Sequence, residues 1–196
     1  MMFYSLNTVV HLYKTKFDDF FIDFIEDKEK SLEYNCHSFV DTRNNVISLH
    51  YKDIKEDNIS FRLKMKNRFE KINQILLKAG KICFISSRNE EIDVIKKFLN
   101  EMSKLYPGKI TYINIRNNNK NDISNITLPV KTYDEKISKT LNIIEYEFKD
   151  IHPDGDDLKT NRYAWIGNYL MWEEIIRKIS IKNKISFIKY LFINID

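Results

Sequence analysis

Between Ser60 and Asn114 the apolar residues change period three times, and few folds accommodate that order. From Ser60 to Gly80, the residues Met65, Phe69, Ile72, Leu76 and Ala79 recur four, three, four and three positions apart. That is one face of a helix, with Gly80 placed to close it just past the C-cap. Lys81-Ile-Cys-Phe-Ile-Ser86 is a largely apolar run that suits a buried strand. Ser87-Arg-Asn-Glu90 has the spacing of a capping box and predicts a second helix, with Ile92, Ile95, Leu99, Met102 and Leu105 as its stripe. Pro107-Gly108 stops that helix, and Lys109-Ile-Thr-Tyr-Ile-Asn114 reads as another strand. A strand–helix–strand unit over 81–114 implies parallel strands joined by a right-handed crossover. The expected fold class is α/β: a mainly parallel central sheet with flanking helices, in a single domain spanning 1–196.

The remaining elements are placed around that unit. Val9, Tyr13, Phe17, Phe20 and Phe24 recur at helical spacing, with Ser5 or Asn7 as the cap. Glu26-Asp-Lys-Glu-Lys30 is a charged run that reads as a solvated loop or a frayed helix end. A polar turn at Arg43-Asn44-Asn45 separates Phe39-Val40 from the run Val46–Tyr51, which predicts a strand, a turn and a second strand. Arg116–Asn125 is a polar loop, and Asn125-Ile-Thr-Leu-Pro129 is a short strand with Pro129 at an edge or an end. Ile144, Tyr146 and Phe148 alternate with Glu145 and Glu147, the pattern of a half-buried strand. His152-Pro-Asp-Gly-Asp-Asp157 is a turn. Trp165, Tyr169, Trp172, Ile176 and Ile179 mark an amphipathic helix, and 181–195 is apolar with interspersed lysines, a final helix or a helix running into a strand.

Composition removes several functions. Hydrophobic residues are 43% and charged residues 31% of the 196, which describes a globular chain. With 32 basic and 28 acidic residues well mixed, a net charge of +4 gives no footprint for nucleic acid. No apolar run approaches the length of a membrane span, and the start lacks a charged segment leading into an apolar one, so a cytoplasmic protein is expected. The four histidines and two cysteines do not fall into a zinc spacing, and His152–Asp157 lacks the alternation and closing glutamate of a calcium loop. No glycine-rich phosphate loop is present. No cofactor is expected.

The strand Val46–Tyr51 directs Val46, Ser48 and His50 to one face, and Ile47, Leu49 and Tyr51 to the other. His50 thus stands near a strand end, ahead of a charged loop. A histidine so placed is suited to general acid–base chemistry, or is satisfied by a backbone carbonyl. Cys36 and His37 are neighbours, whose side chains on a strand would point apart, whereas Cys36 and His50 could meet across the hairpin. Cys83, inside its apolar strand, reads as a small core residue. Ser87 and Arg88, at a predicted helix N-terminus, could hold an anion, and an ordinary cap is the simpler account.

The order of short motifs resembles a papain-like cysteine peptidase family known as a bacterial and viral domain of unknown function. Lys16-Phe-Asp-Asp-Phe20 is similar to its basic-Phe-x-x-Phe helix end. Val40-Asp41 with Ile47-Ser-Leu-His50 resembles its Val-Asp … His-Asp-Phe segment, although Tyr51-Lys52 follows the histidine here. Arg68-Phe69, the strand Ile82-Cys-Phe-Ile85 and Trp165-Ile-Gly167 with Trp172 resemble further landmarks. The resemblance implies that His50 is the base of a Cys–His pair, with Asp41 on the neighbouring strand as its orienter. The family's nucleophile lies in a Ser-Leu-Gly-x-x-Cys segment followed by Pro-Phe-Asp-Trp. Here Ser5-Leu6 is followed by Asn7, and no cysteine precedes Cys36. The expectation is a peptidase-type domain lacking its nucleophile segment, inactive as this chain, with an unidentified peptide or small molecule as substrate. The alternative is a non-catalytic interaction or anion-binding module that uses Ser87 and Arg88.

Overall fold

The structure, a computed structural model, describes residues 2–3, 5–33, 35–49, 51, 53–87, 89–117, 128–155 and 166–183. Its backbone groups into two compact units, Met1–Ile82 with Glu91–Lys109, and Cys83–Glu90 with Ile110–Asp196.

In the first unit the chain runs through β1 (Met2–Phe3), α1 (Leu6–Lys14), β2 (Phe24–Glu26), α2 (Lys28–Glu33), β3 (Ser38–Asp41), β4 (Val46–Leu49), α3 (Asp53–Glu56) and α4 (Asn58–Lys78). Its other segment contributes α5 (Ile92–Leu105). The strands form one sheet in the order β1-β4-β3-β2, antiparallel throughout, because the turn between β3 and β4 is too short for a crossover. Ser5 caps α1 by accepting the Thr8 N–H at 3.1 Å. The helix predicted to run on to Phe24 ends at Lys14 instead. Lys16 and Phe17 take φ of 53° and 61°, left-handed values that a helix cannot absorb. Phe20 and Phe21 therefore reach the core from a turn, where they join Leu12, Phe39, Val46, Ile54, Phe61 and Met65. The charged run becomes the end of β2 and the start of α2, a short helix with no buried residue.

Asp57 caps α4 by accepting the Ser60 N–H, and Phe61, Met65 and Phe69 form its buried face. Beyond Phe69 the predicted stripe runs off the core, and Ile72 is exposed. Gly80 does not close the helix in a left-handed conformation, for α4 ends with Ala79 in extended backbone. The glycine this junction requires is Gly108, where an added Cβ would lie 2.3 Å from the Ala79 carbonyl oxygen. The stripe predicted for α5 is observed, with Ile95, Leu99 and Met102 buried. The capping box is not. Glu91 is the N-cap and makes no side-chain cap bond, so the helix begins well past Ser87.

The second sheet contains β5 (Lys81–Ser86), β6 (Lys109–Asn117), β7 (Val130–Lys136) and β8 (Leu141–Phe148), in the order β5-β6-β8-β7. β5 and β6 are neighbours joined through α5, as the strand–helix–strand reading requires. β6 and β8 are parallel, but β7 returns antiparallel to β8 through a tight connection. The chain is α/β as expected. The mainly parallel central sheet is corrected to one antiparallel and one mixed sheet. One face of the mixed sheet packs Ile113, Ile115, Tyr146 and Phe148 against Met171, Ile175 and Ile179 of α6 (Tyr169–Asn183). β7 begins at Val130, after the predicted strand at 125–129, of which 125–127 lie outside the described residues.

Candidate functional site

Of the candidate site residues singled out in the sequence, Asp41 lies in the β3–β4 hairpin. Ser38 pairs with Leu49 at its open end and Asp41 with Val46 at its turn end. Asp41 is fully buried, and both oxygens of its carboxylate are occupied. Oδ1 accepts the Arg43 and Asn44 backbone N–H groups at 3.0 and 3.1 Å, which closes the turn. Oδ2 accepts the Phe21 N–H at 2.7 Å and the Asn44 side-chain amide at 2.9 Å. Four donors to one buried carboxylate satisfy it without a cation. Asn44, missed as a functional residue, carries the link further by donating to the Asp19 carbonyl at 3.1 Å. The turn 15–21 is also held from α4, where Asn58 donates to Phe21 O and Arg62 to Phe20 O and Asp18 O.

His50 lies outside the described residues. Leu49, its predecessor, stands three residues along β4 from the Asp41–Val46 pair, about 10 Å at the rise of a strand. Asp41 is thus committed to the turn end of the hairpin. Cys36 is half-buried ahead of β3, after Asn35 at φ 48°. Cys83 is half-buried on β5 against the α6 core, and burial pushes its thiol up to about 12, far from a thiolate at neutral pH. Among the described residues no hydrogen bond joins either thiol to an imidazole, and no cluster of His, Cys, Asp and Glu could hold a metal ion. Ser87 is exposed ahead of α5 and outside its first turn, and Arg88 lies outside the described residues. No helix among them is long and apolar enough to cross a membrane.

Two further polar centres occupy the second unit. Glu145, expected on the solvent side of a half-buried strand, is buried. Its carboxylate meets Arg116 Nε and Asn114 Nδ2, both at 2.8 Å, and accepts from Thr132 Oγ1 at 3.2 Å. Asn114 and Arg116 also donate to the Glu90 carbonyl, so the cluster ties β6, β7 and β8 to the segment ahead of α5. At the start of α6, Asp150 Oδ1 accepts the Asn168 N–H and the Trp172 indole N–H, both at 2.9 Å. Gly167 sits against it at φ 71°, and a Cβ there would lie 2.4 Å from the same oxygen. That contact accounts for the glycine and second tryptophan of the Trp-x-Gly … Trp motif, whose Trp165 lies outside the described residues. The glycine signals the close approach, but nothing in the sequence identifies Asp150 as its partner.

Comparisons with protein-family models, with curated proteins and with solved structures find no match to this chain.

Proposed function

We propose that this chain is a papain-like cysteine peptidase-type domain that does not hydrolyse as it stands, with His50 as its base-type histidine and a peptide or small molecule as its ligand. The observation that carries the reading is the meeting of two landmarks distant in sequence. Asp41, from the Val-Asp landmark, accepts the backbone N–H of Phe21, the residue that follows the Lys16-Phe-Asp-Asp-Phe20 landmark. In this reading Asp41 is a positioning residue. It fixes the hairpin that leads into His50 and does not orient the imidazole. Support for the absence of hydrolysis comes from Cys83, which burial holds protonated at neutral pH, and from the lack of a bond between either thiol and an imidazole among the described residues, which do not include His50.

Alkylation kinetics test this. With iodoacetamide at neutral pH, Cys36 is expected to react at the rate of an ordinary accessible thiol and Cys83 more slowly, both unchanged by His50→Ala. A Cys36 rate far above that of a free thiol, and lost in His50→Ala, would show a competent pair and overturn the reading. In a version carrying a Gly-x-x-Cys segment ahead of Met1, His50→Ala should abolish turnover and leave the fold intact. Retained turnover would remove His50 from the role.

A further inference from the structure

The outer face of α4 carries apolar side chains that the core does not use. Ile59 is 79% exposed, Leu63 58% and Leu77 48%, although all three belong to a regular helix. They are in phase. Ile59, Leu63, Lys66, Glu70, Asn73 and Leu77 are spaced four, three, four, three and four apart, the a and d positions of a coiled-coil seam. A surface hollow of about 280 Å³ lies at the first half of this seam. Four of its lining residues, Ile59, Arg62, Leu63 and Lys66, stand at i, i+3, i+4 and i+7, the arrangement that receives a side chain from a facing helix. Leu77, two heptads beyond Leu63, is an exposed side chain of the kind that fills such a hollow.

We infer that α4 is a self-association surface whose occupant is a second copy of α4, antiparallel to the first about a two-fold axis. Charge selects the direction. A parallel pair would set Lys66 against Lys66 and Glu70 against Glu70. An antiparallel pair layers a against d, placing Leu77 over the partner's Ile59, Glu70 against the partner's Lys66, and Leu63 beside the partner's Asn73. Both ends are then apolar layers, and the two central layers are opposite charges. Lys66 already meets Asp18 of its own chain at 2.5 Å, and its ammonium has further donors for the partner's carboxylate. The interface is isologous, each copy offering a hollow in the first half of the helix and a leucine in the second. One helix pair makes a small interface, so association is weak and concentration-dependent. The surface belongs to the first unit alone and does not depend on any catalytic reading.

Sedimentation equilibrium over a concentration series tests the inference. The average mass should rise from 23.6 kDa toward twice that value. Leu77→Lys should abolish the rise with an unchanged circular dichroism spectrum, because Leu77 lies outside the core. Lys66→Glu alone and Glu70→Lys alone should each weaken association by placing like charges in the central layers. Mixing those two variants should restore it as a heterodimer. A chain that stays at 23.6 kDa throughout, a dimer indifferent to Leu77→Lys, or single variants that mixing does not rescue would each overturn the pairing.

Discussion

Asp41 in the first unit and Glu145 in the second are both buried carboxylates, and the protein satisfies them in opposite ways. Among the described residues Asp41 takes four N–H donors, three of them from backbone, and no cation. Glu145 takes a guanidinium, an amide and a hydroxyl, all from side chains. The first arrangement fixes the backbone of a turn and of the segment at Phe21 that lies against it. The second is a tie between strands already ordered by their own ladders. The carboxylate that organises backbone should therefore be far harder to remove than the one that bridges formed strands.

Replacing Asp41 gives the largest expected effect. Asp41→Ala leaves buried donors of Phe21 and Asn44 without an acceptor, and should cost about 4 kcal/mol in denaturant unfolding. A loss below about 1 kcal/mol would mean that the turn is held by its other bonds. On the other side of the comparison, Arg116→Ala strands the Glu145 charge and should cost about 3 kcal/mol. Arg116→Met combined with Glu145→Leu removes both charges, and should cost much less than Arg116→Ala. If the double variant is the worse of the two, the pair is not a replaceable tie.

Two smaller effects sharpen the contrast between backbone and side-chain constraints. Gly167→Ala combines φ 71° with a Cβ against Asp150, and should cost roughly 2 kcal/mol, measured as a lower thermal midpoint. Equal stability would show that Asp150 gives way. Asp19, in the turn that Asp41 holds, responds to pH. Burial pushes its carboxyl up, but hydrogen bonds from His11 and Thr15 outweigh burial and hold it below the ordinary 3.8. Because the folded value lies below the unfolded one, its stabilisation is present above pH 3.8 and is lost as pH falls further. His11→Ala should therefore flatten the acid limb of the stability curve. An unchanged slope would show that the pair contributes nothing there.

Regular elements with a clear period were legible in the sequence. The strand 81–86, the buried stripe of α5 and the hairpin around Asn44 follow from spacing alone. Elements whose signal lies in a distant partner were not legible. Lys16 and Phe17 look helical, and the turn that interrupts the helix is tied to partners distant in sequence, among them Arg62, Asn58, Asn44 and Asp41. β7 was missed because an edge strand needs no apolar face, and Lys131–Lys136 shows none. Glu145 was misread because alternation identifies a face of the sheet and not whether Asn114 and Arg116 cover it. Asp41 was singled out, but its bonds to Phe21, Arg43 and Asn44 depend on a turn and a distant segment that spacing does not reveal.

Whether Asp41 serves the turn or the histidine is settled most directly by following the His50 ring protons by NMR through a pH titration. The chain and its Asp41→Asn variant would be compared at a temperature where both are folded. The account predicts the same His50 titration midpoint in both, because the carboxylate is committed to Phe21, Arg43 and Asn44. A clear fall of the midpoint in the variant would show that Asp41 stabilises the His50 imidazolium, and would contradict it.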